Sequence, residues 1–213
     1  MKRRICAVLL ILALVLGLGG CGKGIAGVWV WELDLTRLMA EDMGAALGAE
    51  GIEPPEKMVL TVLLTLNRDG SFTLTVDKEP SAASAESFFR GLAPVLKELY
   101  YASYESRGIS REKLDGLLEK QGKTLDGLVA ELMTHLSADE LLEAYQVDRS
   151  GYWVQEGDRL YLLSEKDGQD RSESLRFTLS GAEMTVTEIA SESLLHNGPV
   201  EAQIRLPVTL TRR

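Results

Sequence analysis

The sequence predicts a mainly β, α+β fold: an antiparallel up-and-down barrel of about eight strands, with a helical block inserted between the third and fourth strands. Three observations carry this. Short segments with apolar residues at alternate positions recur on both sides of the chain's middle, separated by turns rich in Gly, Asn, Asp and Ser. Over about residues 80–147 the apolar period changes from two to that of a helix. Consecutive hairpins leave two exposed sheet edges unless the sheet closes on itself, so a barrel is the economical arrangement.

The first strand is Gly27 to Asp34, with Trp29, Trp31 and Leu33 on one face. Asp34 or Thr36 then caps a short helix reaching about Leu47, with Leu35, Leu38, Met39, Met43, Ala46 and Leu47 as its apolar stripe. Gly48, Gly51, Pro54 and Pro55 break it. Leu60, Val62, Leu64 and Leu66 alternate up to the Asn67-Arg68-Asp69-Gly70 turn, and Phe72, Leu74 and Val76 return the chain as a hairpin.

In the helical block, Phe88, Phe89, Leu92, Val95, Leu96 and Leu99 keep helical spacing, and Pro94 marks a kink or a late start. Ser110 opens a second helix that Gly122 ends, Thr124 opens a third, and Ser137 with Glu140 forms a capping-box pair before a fourth. The period of two then returns. Tyr152 and Val154 pass through a Glu156-Gly157-Asp158 turn to Leu160 and Leu162. Leu175, Phe177 and Leu179 pass through Ser180-Gly181 to Met184 and Val186. After a loop around Asn197-Gly198-Pro199, alternation at Ala202, Ile204, Leu206, Val208 and Leu210 predicts the last strand. Pro207 cannot donate to a ladder, so it belongs at an edge or a bulge.

The N-terminus carries a targeting pattern. Lys2, Arg3 and Arg4 precede an almost wholly apolar run from Ile5 to Leu18, shorter than the roughly 20 residues a bilayer-spanning helix needs. Leu18-Gly19-Gly20-Cys21 closes that run and resembles the lipobox of bacterial lipoproteins. The resemblance implies that residues 1–20 are a cleaved signal, that Cys21 receives the lipid, and that residues 21–26 form a lipidated tether. It places the protein at the cell membrane, lipid-anchored on the extracytoplasmic face. Cys6 and Cys21 are the only cysteines; the resemblance implies that Cys6 leaves with the signal and Cys21 is acylated, which leaves no thiol for a disulfide, a zinc site or a nucleophile. Losing Lys2, Arg3 and Arg4 with residues 1–20 takes the formal charge from −9 to −12. An acidic chain of this kind is unsuited to nucleic acid and to electrostatic adhesion to anionic lipid.

Gly27-Val28-Trp29 on the first strand, followed by a meander, resembles the Gly-X-Trp opening of lipocalin-like (calycin-type) barrels. The resemblance implies that residues 27–213 form a lipocalin-like domain with Trp29 as the plug of the closed barrel end. It also implies that an Arg from a late strand, Arg205 or Arg212, packs over the Trp29 ring. The helical block departs from that pattern.

Little chemistry is encoded. His135 and His196 are the only histidines, and nothing in their placement suggests a metal triad or a serine–histidine–acid set. Asn67-X-Asp69-Gly70-Ser71 resembles the start of a calcium loop but lacks the distal ligands, and a hairpin turn accounts for it. The acidic loop from Glu165 to Asp170 reads as solvated charge. Phe88 to Tyr104 carries an aliphatic and aromatic stripe that reads as packing within the block.

The expectation is therefore a protein with no catalytic residues, no metal and no cofactor, held at the membrane through the lipid on Cys21. Its expected role is to bind a small apolar molecule or a peptide at the barrel mouth, with Phe72, Leu74, Tyr161 and Phe177 as candidate lining residues. The alternative is a non-enzymatic cell-envelope interaction or structural module that uses the helical block as partner surface. Replacing Cys21 by Ser is expected to move the protein from the membrane fraction to the soluble extract. A mutant that still sediments with membranes contradicts the anchor.

Overall fold

The computed structural model describes residues 24–47, 52–191 and 194–213. Cys21, the apolar run 5–18 and the breakers Gly48 and Gly51 lie outside the described residues.

Eight strands form one closed antiparallel barrel in sequence order, β1-β2-β3-β4-β5-β6-β7-β8. They are β1 (Gly27–Asp34), β2 (Val59–Leu66), β3 (Ser71–Val76), β4 (Asp148–Glu156), β5 (Arg159–Leu163), β6 (Ser174–Ser180), β7 (Glu183–Ala190) and β8 (Val208–Arg212). Six helices accompany them among the described residues. The helix α1 (Thr36–Leu47) joins β1 to β2. Between β3 and β4 lie α2 (Lys78–Glu105), α3 (Arg111–Glu119), α4 (Leu125–Met133) and α5 (Ala138–Ala144). The short α6 (Gly198–Glu201) precedes β8.

The alternation in the sequence sets which side chains enter the lumen. β1 and β2 pair without interruption from Gly27↔Leu66 to Asp34↔Val59, which puts Trp29, Trp31 and Leu33 opposite Leu64, Val62 and Leu60. All six are buried. The ring closes where Trp29 pairs with Arg212 and Val30 with Thr211, extended by the Arg213 N–H to the Val28 carbonyl at 2.9 Å. Buried side chains of the barrel and of the helical block make one continuous core.

The helix starts follow the sequence signals. Side-chain oxygens of Ser110, Thr124 and Ser137 accept hydrogen bonds from the backbone N–H three residues on. Pro94 lies inside α2, which runs through it, with the proline on an exposed face. The start of α2 is joined to the sheet. β3 ends at Val76, and beyond it the Val59 and Thr61 N–H groups of β2 have no strand partner. The hydroxyls of Ser84 and Ser81 accept them at 2.8 and 3.0 Å.

Two expectations are corrected. The inward face of β4 carries Arg149, Gly151 and Trp153, because Leu74 pairs with Arg149, Phe72 with Gly151 and Trp153 with Leu162; Tyr152 and Val154 face outward. A shift of one residue exchanges the faces of a strand, and both faces of this one hold apolar residues. The last strand begins only at Val208, so Ala202, Ile204 and Leu206 lie outside it. Asn197 caps α6 through Val200 N, and Pro199 sits in its first turn, which commits this segment to a helical turn. Pro207 immediately precedes the ladder.

Gly151 is required by close approach. A Cβ there would sit 2.2 Å from the Leu163 carbonyl oxygen and 2.9 Å from Phe72 Cε1. Gly151→Ala is expected to lower stability by about 3 kcal/mol in urea unfolding, the upper range for overpacking. Gly116→Ala on α3, where a Cβ meets nothing within 4 Å, is expected to be neutral or to stabilise by about 0.5–1 kcal/mol.

Candidate functional site

Strand direction gives the barrel two unlike ends. The start of β1, the turns β2–β3, β4–β5 and β6–β7, and the end of β8 gather at one; α1, the helical block and α6 gather at the other.

The first end is sealed. Trp29 is fully buried, and its indole N–H donates to the Ile25 carbonyl at 2.8 Å. The Arg212 guanidinium lies 4.6 Å from the Trp29 ring centroid and donates to the Gly24 carbonyl at 2.6 Å. Arg205 instead bonds the local carbonyls of Ala202 and Ile204. Trp153 adds a second indole at this end: its indole N–H donates to Asn67 O at 3.0 Å and its backbone N–H to Gly70 O at 2.7 Å.

The lumen is filled. Among the described residues, Trp31, Leu64, Leu74, Leu162, Leu175 and Val186 are among the side chains around an inner space of only about 10 Å³. That is the scale of a single water, which needs two or more polar partners. The one polar side-chain group on this lining is the Trp31 indole N–H, buried and without a partner among the described residues. Of the candidate lining residues, Phe72, Leu74 and Phe177 are 1%, 2% and 3% exposed and belong to the packed core. Tyr161 pairs with the outward Val154, and its ring lies 5.2 Å from the Arg171 guanidinium. The four do not come together around a cavity.

The second end holds the one inward-facing charge of β4. Arg149 is paired with Glu173, donates to the Leu194 carbonyl at 3.1 Å, and lies 5.7 Å from the Phe72 ring. Burial holds its pKa below the ordinary arginine value, with the nearby Glu201 charge opposing. Glu201 also accepts the Leu195 N–H. Leu194 and Leu195 are thereby fixed, buried, over the lumen. Tyr145 donates to Asp42 at 3.2 Å across from α1; burial, and then the Asp42 charge, raise its pKa. Beside the mouth lies an open groove of about 700 Å³, lined by Asp34, Arg37, Ile52, Pro54, Ile204 and Arg205 among others.

The remaining motifs are absorbed by local structure. Asp69 accepts from the Ser71 N–H and hydroxyl at 2.9 and 2.7 Å, which hold its pKa below the ordinary aspartate value and commit it to the turn. Asp170 bonds Ser172 N in the acidic loop at 2.8 Å. Phe88, Leu92 and Leu96 are buried within the core. Arg111 bridges Glu98 and Glu105 at 2.9 and 3.0 Å and lies 4.7 Å from the Tyr101 ring centroid. His135 and His196 are exposed. Among the described residues there is no cluster of three metal-ligating side chains and no helix long and apolar enough to cross a bilayer.

Sequence reasoning missed Arg149, because Asp148 to Ser150 looks like a polar approach to a strand. The one available signal was the unusual pairing of Gly151 with Trp153 on the same face. No protein-family model matches the chain, and neither a curated protein nor a solved structure matches it.

Arg212→Ala is expected to cost about 1.5 kcal/mol in urea unfolding, for one cation–π contact and one carbonyl bond. It is also expected to make tryptophan fluorescence more accessible to a soluble quencher. Arg205→Ala, whose partners are exposed local carbonyls, is expected to leave both unchanged.

Proposed function

We propose that this chain is a lipid-anchored extracytoplasmic protein with a lipocalin-like barrel. It serves as a non-enzymatic interaction module of the cell envelope and presents its mouth end, helical block included, to a partner. The observation that carries the reading is the filled lumen. The inner space between Trp31, Leu74, Leu162 and Leu175 is about 10 Å³, against the several hundred cubic ångströms that small-molecule sites occupy. The lipocalin-like assignment draws support from Gly27-Val28-Trp29 on β1, the Arg212 guanidinium over Trp29, and the closed eight-strand meander. A fold of this kind hosts many functions, so the role is argued from the surfaces and not from the barrel.

A second reading keeps a ligand at the mouth. It is favoured by the 700 Å³ groove, whose size falls within the range of ligand sites. Charged groups such as Glu32, Asp34, Arg37, Glu53 and Arg205 line it beside Ile52 and Ile204. That mixture suits an extended peptide segment better than an apolar small molecule.

Native mass spectrometry of the protein purified from its own host separates these readings. The expected result is the mass of the lipidated chain alone, with photo-crosslinks to an envelope protein from position 117 on α3 and none from position 161 on the barrel wall. A stoichiometric small molecule released on denaturation would sink the interaction reading.

A further inference from the structure

We infer that the sealed end of the barrel is the face turned toward a lipid surface, with the mouth end and the helical block projecting away from it. This rests on the Cys21 anchor proposed above and adds the orientation of the folded body on that anchor. The first described residues are fastened to the sealed end: the Gly24 carbonyl accepts from Arg212 at 2.6 Å, and the buried Ile25 gives its carbonyl to the Trp29 indole at 2.8 Å. Cys21 precedes Gly24 by three residues, which span about 11 Å even when fully extended. An acyl chain on Cys21 therefore holds the sealed end within about that distance of the headgroups. The eight residues of β1 rise about 26 Å, or roughly 20 Å along the axis of a barrel with tilted strands. The mouth lies that much farther out.

The test uses the full chain, lipidated in its own host, with one introduced cysteine for a fluorophore: Arg68→Cys or Ala182→Cys at the sealed end, or Lys120→Cys in the helical block. The acylated Cys21 does not take the label. Each protein is reconstituted in phosphatidylglycerol–phosphatidylcholine vesicles carrying a headgroup nitroxide quencher. Quenching is expected to be several-fold stronger at positions 68 and 182 than at 120. Equal quenching at the three positions, or stronger quenching at 120, overturns the orientation while leaving the anchor intact. A mass without lipid on Cys21, read before reconstitution, overturns the anchor and the orientation together.

Discussion

An eight-strand barrel has a fixed width, and that width governs most of this molecule. The lumen admits one layer of large side chains or one small ligand, not both. Here two β1 tryptophans, Phe72, Phe177 and a ring of leucines take the space, and the inner gap beside Trp31 is about 10 Å³. Everything that can meet another molecule is displaced to the ends and the outer wall. The eight-pair β1–β2 register sustains this, because it sets Trp29 and Trp31 into the lumen together.

The two ends solve their polar problem differently. At the sealed end, three side-chain donors find backbone carbonyls: the Trp29 indole at Ile25, the Arg212 guanidinium at Gly24 and the Trp153 indole at Asn67. At the mouth, a charge is brought inside and neutralised. Arg149 meets Glu173 and the Leu194 carbonyl, and Glu201 takes the Leu195 N–H. A buried ion pair is a poor source of stability compared with apolar packing, but removing one partner is costly. Arg149 thus ties the Leu194–Leu195 cover to the barrel wall more by what its loss leaves behind than by what its presence adds.

Much of this was legible in the sequence where one face of an element is clearly apolar. β1, β2 and β3 alternate cleanly, and their inward residues follow from parity alone. The helix caps at Ser110, Thr124 and Ser137 were equally plain, since cap chemistry is local. The sequence was ambiguous where both faces carry apolar groups. In β4, Tyr152 and Val154 compete with Gly151 and Trp153, and only the pairing to β3 and β5 decides. Alternation at Ala202, Ile204 and Leu206 mimicked strand, while the Asn197 cap and Pro199 dictated a helical turn. The Gly-X-Trp resemblance pointed to an arginine over Trp29 without distinguishing Arg205 from Arg212; the β1–β8 register makes that choice. Whether four apolar residues line a cavity or fill a core depends on volumes that no pattern of letters encodes.

The serines at the start of α2 have a consequence for how the molecule can be altered. Ser81 and Ser84 stand in for a missing stretch of β3 by accepting two β2 N–H groups, and Asp77 N–H returns a bond to the Thr61 carbonyl. The helical block is therefore grafted into the ladder and not merely strung between two strands. Excising it at its apparent boundaries would strip the wall of bonds it cannot replace. The first turns of α2 thus belong to the hydrogen-bonding scheme of the barrel wall as much as to the helical block.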